Sequence, residues 1–494
     1  MTKRKNPAEA TRTVTSSGWD LGTAPPPPEG LALVVAWAAD EPWRVGEVLW
    51  LSTAPACFGR GEASADDPHP RVFPARQRPG VLEAGQPWRG RATSRVQLIL
   101  QVDGEAVALR NVGKCPLRVG GVEVSEASVG VGEVCELHNQ AVLICVSRPR
   151  RFEAGTLPLH AFGGPDAYGI VGESPAIWAL RERVAFLGPR RAHVLVHGES
   201  GSGKELVARA LHASAGGTFV ARNAATLPEG LVDAELFGNA RNYPNPGMAA
   251  REGLVGAADG GTLFLDEFAE LPPALQTHLL RVLDDGEYHR LGESAARRAN
   301  LRLIGATNRP LTEIREDVLA RLPLRVEVPP LQDRREDIPL LARHLLTQIA
   351  EEDPTVGRRF FATGQGAPVP RFTPRLVCGL LQRRYTTHAR EVVAVLWKAM
   401  AEARGDVLDL PRDQPQTDSR LAPTPDAPVD FAAWHGAEVS DIPPEVIQAC
   451  LDHHNGRQEE AWVTLGLSSR YVLRRLIRKH GLVVTRGARR ASKL

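Results

Sequence analysis

Residues 193–212 read HVLVHGESGSGKELVARALH, and this stretch decides the fold of the central part of the chain. A short apolar run precedes the glycines and a helix-forming run follows them, which predicts a strand, a tight turn and a helix. Glycines let backbone N–H groups turn inward around phosphate oxygens, and the helix N-terminus adds its dipole. The predicted nucleotide-binding residues are Gly198, Glu199, Ser200, Gly201, Ser202, Gly203, Lys204 and Glu205, with Lys204 as the cation for the β and γ phosphates.

A second apolar strand, GTLFLDE at 261–267, ends in two acids. One carboxylate can hold Mg²⁺ through water while the next polarises the attacking water, as phosphoryl transfer requires. The strands AHVLVHG, GTLFLDE and LRLIGATN alternate with helical stretches, which predicts a parallel α/β sheet with its site at the strand C-termini. We therefore expect Asp266 to position the metal and Glu267 to act on water.

Length and composition limit the class of protein. The 494 residues suggest roughly three domains at about 150 residues each. Lys and Arg number 60 against 58 Asp and Glu, so the net charge of +2 predicts only local attraction to nucleic acid. The six cysteines include no CxxC pair, and no window approaches about 18 consecutive apolar residues. We expect a soluble cytoplasmic protein without a signal peptide or membrane contact.

The composition changes along the chain and divides it into segments. We predict a disordered tail at 1–29, because its polar, proline-rich sequence buries too little apolar surface to fold. Short β-type runs between Gly, Pro and Asp clusters predict an all-β sandwich or barrel at 30–149. The remaining predicted segments are a linker at 150–168, an α/β core at 169–340, a helical lid at 341–403, a Pro- and Asp-rich linker at 404–443 and a helical region with a basic tail at 444–494.

The last segment has the pattern of a DNA-reading helix pair. A helix is predicted from Gln458, a turn at Gly466–Leu467 and a second helix from about Ser469. No Asp or Glu follows Glu460, so the end of the chain is locally basic. Core spacing assigns Ala461, Leu465, Leu467, Val472 and Leu476 to the interior. The candidate DNA-binding residues on the outer faces are Ser469, Arg470, Tyr471, Arg474, Arg475 and Arg478.

Six motifs in the centre together carry a family resemblance. They read GESGSGKELVARALH, LVDAELFG, ADGGTLFLDE, LQTHLLRVLDDGEYHRLG, IGATNRPL and PPLQDRREDIPLLARH. Together they resemble the AAA+ ATPase domain of bacterial enhancer-binding proteins, the activators of sigma-54 RNA polymerase, over residues 169–403. The resemblance implies ATP and Mg²⁺ as cofactors, Asn223 as a switch holding Glu267, and Asn308 as a sensor of the γ phosphate. It also implies Arg315 and Arg321 as arginine fingers for a neighbouring subunit, Arg390 as a second sensor, and a ring of subunits, a hexamer.

The two flanking segments resemble other known modules. The C-terminal segment is similar to the Fis-type helix-turn-helix, which implies dimeric binding to DNA at paired half-sites. In the β segment, CFGRG at 57–61 and ATSRVQLILQ at 92–101 resemble the phosphate-contact turns of forkhead-associated domains. That resemblance implies a phosphothreonine partner bound through Arg60, Ser94 and Arg95. Gln97 stands where that family has a histidine, and its Asn-Gly pair falls near Cys115–Pro116.

The chain departs from the enhancer-binding family at one loop. The family's sigma-54 contact loop, GAFTGA, aligns with NYPNPG at 242–247, and two prolines there fix φ and remove N–H donors. Three functions stay open at this point. The protein is an activator that remodels sigma-54 polymerase through an atypical loop, a DNA-binding regulator or repressor that uses the AAA+ module for assembly, or a phosphopeptide-binding adaptor with its ATPase kept as a scaffold.

Overall fold

The computed structural model describes residues 29–152, 155, 157–227, 231–362, 368–412, 444–454, 458–467 and 470–480. The chain divides into two compact units, residues 1–415 and 416–494. Most of the predicted tail, residues 1–28, and residues 413–443 of the predicted second linker lie outside the described residues. Among the described helices, none is both long enough and apolar enough to cross a membrane.

The first unit begins with two antiparallel sheets. Their strands, together with a small hairpin, are β1 (Glu29–Ala38), β2 (Val48–Trp50), β3 (Ala56–Phe58), β4 (Gln77–Arg78), β5 (Val81–Leu82), β6 (Leu98–Asp103), β7 (Ala106–Asn111), β8 (Leu117–Val119), β9 (Val122–Val124), β10 (Glu126–Gly130), β11 (Val134–Leu137) and β12 (Ala141–Pro149). One sheet has the order β2-β1-β12-β11-β8-β9 and the other β10-β7-β6-β3, while β4 pairs with β5. Apolar side chains from both sheets meet in one core, so this part of the chain is a sandwich.

The parallel α/β core follows the sandwich. Its elements are α1 (Pro175–Leu187), β13 (Val194–His197), α2 (Lys204–Ala213), β14 (Phe219–Asn223), α3 (Val232–Phe237), α4 (Gly253–Ala257), β15 (Thr262–Asp266), α5 (Pro273–Asp285), β16 (Glu287–Tyr288), β17 (Arg297–Arg298), β18 (Arg302–Thr307), α6 (Glu316–Leu319) and β19 (Leu324–Glu327). The parallel sheet has the order β14-β15-β18-β13-β19. Because all five strands are parallel, their carboxyl ends share one edge, as the sequence predicts.

The lid helices complete the first unit. They are α7 (Ile338–Glu352), α8 (Pro354–Phe360), α9 (Pro374–Gln382) and α10 (Ala389–Glu402), with the short strands β20 (Phe361–Ala362) and β21 (Val369–Pro370) between α8 and α9. A 3₁₀ segment, Leu331–Asp337, leads from the parallel sheet into α7. The predicted lid therefore begins three residues earlier in the structure than in the sequence analysis.

The sandwich and the lid helices share a hydrophobic core. Val34 of β1 and Ile144 of β12 lie in this shared core, while their neighbours Leu33 and Leu143 point into the sandwich interior. Both faces of these strands are therefore buried, which explains why their sequences are almost continuously apolar. The indole N–H of Trp37 also donates to the backbone oxygen of Phe372 in the lid region, at 3.0 Å.

The segment predicted as a linker at 150–168 also packs against the sandwich. Its residue Phe162 lies under the guanidinium of Arg76, with 4.8 Å between the ring centroid and Cζ. The backbone oxygen of His160 accepts a hydrogen bond from Arg78 at 2.6 Å. The described part of this segment is therefore held to the sandwich.

The second unit contains three short helices. They are α11 (Pro444–His453), α12 (Gln458–Thr464) and α13 (Arg470–His480). Ala461, Leu465, Leu467 and Leu476 are buried as predicted, but Leu473 is the fully buried residue of α13, and Val472 is only partly buried against it. Val472 therefore contacts the predicted core, and Leu473, which the sequence analysis did not assign to the interior, is buried as well.

The shared core gives a prediction about unfolding. Ile144→Ala removes buried methylene groups on the sandwich side and should cost roughly 2–5 kcal/mol, and Leu380→Ala on the lid side should cost a similar amount. Since both side chains lie in one core, both substitutions should lower the midpoint of the same thermal transition in calorimetry. The exposed Val122→Ala is the control and should leave the midpoint unchanged. Separate transitions, each shifted by only one of the two substitutions, would contradict a shared core.

Candidate functional site

The phosphate loop, residues Gly198–Glu205, connects β13 to α2. Gly201 and Gly203 have φ values of +75° and +107°, which side chains rarely adopt, and Gly203 precedes the first residue of α2. A Cβ atom at Gly201 would lie 2.3 Å from the backbone oxygen of Thr387. Glycine is therefore required here both for the turn and for the close approach of the lid.

Lys204 lies inside the phosphate loop. Its side chain is buried, and Nζ donates to the backbone oxygens of Gly198 at 3.0 Å and Glu199 at 3.1 Å. Burial lowers the pKa of Lys204, while the carboxylates of Glu267 and Asp266 act in the opposite direction. The ammonium group is thus inside the loop and within electrostatic reach of both acids.

The two predicted acids lie at the carboxyl edge of the parallel sheet. Asp266 is the last residue of β15, and its Oδ1 accepts a hydrogen bond from the backbone N of Glu267 at 3.0 Å. Glu267 has a φ of +51°, an uncommon backbone conformation that ends the strand abruptly. The strand thus ends directly after Asp266, and both carboxyl groups act electrostatically on Lys204.

The two predicted sensor asparagines flank these acids at the same edge. Asn223 ends β14 and is paired in register with Asp266, whereas the exposed Asn308 follows β18. The backbone N of Gly198 donates to the oxygen of Thr307 at 3.2 Å, which ties the phosphate loop to the strand that leads to Asn308. Sheet geometry therefore brings both asparagines to the edge that carries the loop.

The side chain of Asn223 is directed at its own turn. Its Oδ1 accepts a hydrogen bond from the backbone N of Ala225 at 2.8 Å and so caps the short 3₁₀ helix Ala224–Thr226. Among the hydrogen bonds of the described residues, none joins Asn223 to Glu267. The proposed switch role of Asn223 therefore needs a rotation of this side chain and stays a prediction.

The lid helix α10 contacts the phosphate loop from one side. Nη1 of Arg390 lies 3.2 Å from the hydroxyl oxygen of Ser200, to which it donates a hydrogen bond. The backbone N of Ala389 donates to the oxygen of Gly201 at 3.3 Å. The second-sensor arginine expected from the sequence thus lies directly beside the phosphate loop.

Two further residues at this contact were not assigned a role from the sequence. His388 is fully buried with a φ of +44°, and its Nε2 lies 3.0 Å from the carboxylate of Glu199. Burial lowers the pKa of His388, while Glu199 favours the protonated form. Arg334 is buried as well, and its Nη2 donates to the backbone oxygen of Ser202 at 3.3 Å. Both residues stand in or beside recognised motifs, but only the fold reveals what they contact.

The two predicted arginine fingers lie away from the phosphate loop of their own chain. Arg315 pairs with Asp317 at 2.6 Å, and Arg321 pairs with Asp284 at 2.8 Å. The two side chains are 43% and 36% exposed. Within the part of the chain that the structure describes, neither forms a hydrogen bond to the phosphate loop.

The predicted phosphopeptide residues lie together on the sandwich. The backbone N of Arg60 donates to the oxygen of Ser94 at 2.9 Å, which joins the two turns. The buried Gln97 accepts from the backbone N of Ser94 at 2.9 Å, and so holds the second turn. The side chains of Arg60 and Arg95 are exposed, and the backbone N of the exposed Lys114 donates to the hydroxyl of Ser94 at 2.9 Å. Exposed cationic residues therefore lie on and next to the two turns, and Gln97 holds the second turn.

The loop at 242–247 is folded back on itself. One side chain, Asn239, donates through Nδ2 to the backbone oxygens of Ala240, Tyr243 and Ala249, at 2.9, 3.3 and 3.1 Å. Asn239 itself is 1% exposed, whereas residues 241–250 are all exposed. A buried amide thus fixes both sides of an exposed loop.

The predicted DNA-binding residues lie on α13. Tyr471 is 68% exposed, Arg475 is exposed, and the ring of Tyr471 lies under the guanidinium of Arg470. Nε of Arg474 donates to the side chain of Gln458 at 3.2 Å. Ser469 and the side chain of Arg478 lie outside the described residues. The described members form an exposed basic face on one short helix.

Comparison with known proteins places this site in a family. The model of the sigma-54 interaction domain matches residues 170–331. The chain is similar to the transcriptional regulatory protein ZraR of Salmonella typhimurium, with 35% identity over 324 residues, 63% of this chain and 69% of that protein. It is also similar to the DNA-binding transcriptional regulator NtrC of Klebsiella pneumoniae, with 34% identity over 62% of this chain and 69% of that protein.

Two further comparisons give a shorter match and a structural match of low score. The Nif-specific regulatory protein of Bradyrhizobium diazoefficiens is 44% identical over 197 residues, 38% of this chain and 34% of that protein. The crystal structure of NtrX from Brucella abortus in complex with ATP has 27% identity and a TM-score of 0.44, over 63% of this chain and 69% of that one. The curated relatives at 34–35% identity, each covered over two thirds of its length, establish the relationship. The chain belongs to the family of sigma-54-dependent transcriptional regulators.

Proposed function

We propose that the protein is an ATP-dependent, DNA-binding transcriptional regulator that hydrolyses ATP in an oligomeric ring and thereby acts on sigma-54 RNA polymerase in the cytoplasm. One observation carries the proposal. Lys204, the acids Asp266 and Glu267, and Arg390 of the lid converge on one phosphate loop. This is the set of charges that ATP hydrolysis needs around a triphosphate.

Each group has a separate task in this proposal. The backbone amides of the phosphate loop and Lys204 bind the β and γ phosphates, and Arg390 adds a cation from the lid. Asp266 would hold Mg²⁺ through water, and the ion would neutralise phosphate charge. Its carboxylate suits this role because it ends a buried strand and lies within electrostatic reach of Lys204. Glu267 polarises the attacking water.

The arginine fingers account for the oligomer. Arg315 and Arg321 are at least partly exposed, and their guanidinium groups pair with Asp317 and Asp284 of their own chain. During hydrolysis, negative charge develops on the γ phosphate, and an arginine from a neighbouring subunit can stabilise that charge. We infer that subunits assemble from dimers to a hexamer. On assembly, the two arginines would leave Asp317 and Asp284 and contact the nucleotide bound to a neighbouring subunit.

The helices at 444–480 would bind the DNA target, and the sandwich would bind the signalling partner. The exposed basic face of α13 fits a major groove, with Arg475 on a phosphate. The cationic surface of Arg60, Ser94 and Arg95 fits a phosphothreonine, since guanidinium groups form charge-assisted bonds to phosphate. Regulation would therefore join a phosphorylated signalling protein to an enhancer-like DNA site.

A second candidate function rests on the loop at 242–247. Asn239 donates to backbone oxygens in this loop and on both sides of it, and the loop sequence matches the sigma-54 contact loop of the family at no aligned position. A loop so restrained is poorly suited to rise and retract with the nucleotide cycle. In this alternative the protein binds DNA as a regulator or repressor, and the AAA+ module serves nucleotide-dependent assembly without touching sigma-54.

Hydrolysis depends on two side chains in different ways. Lys204→Ala should abolish binding of ATP, because it removes the buried cation from the phosphate loop. Glu267→Gln should keep binding but lower hydrolysis by about 100-fold or more, since only the polarised water is lost. Phosphate release and binding of a fluorescent ATP analogue measure the two steps. Arg371→Ala, a change on the lid surface, is the control and should match the parent. Full hydrolysis by Glu267→Gln would refute its assigned role.

The main and the alternative function predict different effects on sigma-54 RNA polymerase. If the main proposal holds, the purified protein with ATP converts a closed sigma-54 promoter complex into an open one, as measured by permanganate footprinting. Lys204→Ala should be inactive in this assay. ATP hydrolysis without any open complex, together with ATP-dependent assembly on DNA, would instead establish the alternative.

DNA binding should depend on charge at α13. Arg475→Ala removes one exposed cation, so affinity for DNA should fall and the slope of log K against log salt should decrease by about 1. Fluorescence anisotropy at several salt concentrations measures both quantities. Arg371→Ala makes the same charge change in the first unit and should leave the slope unaltered. An unchanged slope for Arg475→Ala would place the DNA contact elsewhere.

A further inference from the structure

A cluster of buried charges lies between the sandwich and the phosphate loop. Its members are Arg78 and Arg148 from the sandwich, Glu173 and Ser174 before α1, and Arg334, Glu336 and Asp337 from the 3₁₀ segment. Every one of these residues is at most 9% exposed. Charges taken out of water this far remain only when other groups compensate them, so their mutual positions are closely constrained.

The cluster begins in the sandwich at Arg148, near the end of β12. Arg148 is 1% exposed, and its Nη2 donates to the backbone oxygen of Glu173 at 3.1 Å. Its Nε has no hydrogen-bond partner among the described residues. Burial lowers the pKa of Arg148, while Glu336, Asp337 and Glu173 stabilise the charged form. The guanidinium is thus held by the backbone at Glu173, and its charge compensates the neighbouring acids.

The next step joins Glu173 and Ser174 to the 3₁₀ segment. Oδ1 of Asp337 accepts hydrogen bonds from the backbone N atoms of Glu173 at 2.7 Å and Ser174 at 3.0 Å. Oδ2 of Asp337 accepts a hydrogen bond from the hydroxyl of Ser174 at 2.5 Å. A Cβ atom at Gly172 would lie 2.4 Å from Oδ2, so the backbone passes directly over this carboxylate. Asp337 thus accepts hydrogen bonds from the backbone at Glu173 and Ser174, and Arg148 donates to the backbone oxygen of the same Glu173.

The last step reaches the phosphate loop through Arg334. This residue lies three positions before Asp337 in the same segment, at a kink with φ −141° and ψ 43°. Its guanidinium is stabilised by Asp337 and donates to the backbone oxygen of Ser202. The same short segment thus contacts the phosphate loop through Arg334 and the backbone before α1 through Asp337.

We propose that Arg148 of the sandwich is a positioning residue for the phosphate loop, acting through Glu173, Asp337 and Arg334 on Ser202. The inference rests on the proposed binding of ATP at that loop. Removal of Arg148 leaves Glu336 and Asp337 as adjacent buried acids without their cation from the sandwich, and the 3₁₀ segment relaxes to separate or hydrate them. The contact between Arg334 and Ser202 then loosens, and the affinity for nucleotide falls.

The test measures nucleotide affinity in the full-length chain. Arg148→Met should raise the Kd for a fluorescent ATP analogue by about three- to tenfold. Arg148→Lys should restore part of the affinity, because it returns the charge. Arg150→Met is the matched control, since Arg150 is an exposed arginine just beyond the same strand, and its Kd should equal that of the parent.

A double-mutant cycle separates positioning from a general loss of structure. If Arg148 acts through Arg334, the Arg148→Met substitution should have no further effect on the Kd of Arg334→Met. Glu336→Gln removes the charge that Arg148 balances, so it should recover affinity in the Arg148→Met background. It should also restore folding there if Arg148→Met alone fails to fold.

Three outcomes are decisive. An unchanged Kd for folded Arg148→Met, or losses that add in the cycle with Arg334→Met, would overturn the positioning role while leaving the proposed ATPase intact. A parent protein that binds no nucleotide would overturn the proposed function, and this inference with it.

Discussion

The joint burial of the lid helices against the sandwich and the phosphate loop is the constraint on which the first unit depends. Ile144 and its neighbours on β12 fill the same core as the lid, so this sheet cannot separate without exposing apolar surface to water. The opposite end of the lid contacts the phosphate loop through Arg390 and Ala389. One group of helices therefore lies in contact with both the sandwich and the nucleotide site.

The buried charges around Asp337 fix the relative orientation of the packed segments, whereas the apolar core supplies the stability. An apolar core resists separation but tolerates small rotations, whereas the hydrogen bonds of Asp337 to Glu173 and Ser174 fix direction and distance. Replacing such a cluster by apolar groups is often neutral for stability, while removing one partner leaves an uncompensated charge at a cost of about 3–5 kcal/mol. Loss of Arg148 would therefore lower the stability of the first unit and also loosen the hydrogen-bonded contacts that lead from Glu173 to the phosphate loop.

The parts that could be predicted from the sequence are those fixed by local pattern. The glycine-rich turn, the strand before Asp266 and the parallel arrangement follow from residues close together in the chain, and the predicted sensor Arg390 lies at the loop. The contacts of His388 and Arg334 were not predicted, because each depends on a partner far away in sequence. The burial of β1 and β12 on both faces was also missed, although their continuous apolar runs carry that signal.

The loop at 242–247 is also held by a buried polar side chain, and there the restraint bears on movement of the loop. A motor transmits force through a part whose position changes with nucleotide, and such a part must have few internal bonds to break. The buried Nδ2 of Asn239 instead lies within hydrogen-bond distance of three carbonyl oxygens, those of Ala240, Tyr243 and Ala249. A loop held at its base can still act as a rigid tip if the whole segment moves, since Asn239 also exchanges backbone hydrogen bonds with Arg251, just before α4. The nucleotide would then have to shift this complete unit, and the prolines would define the shape of its contact surface.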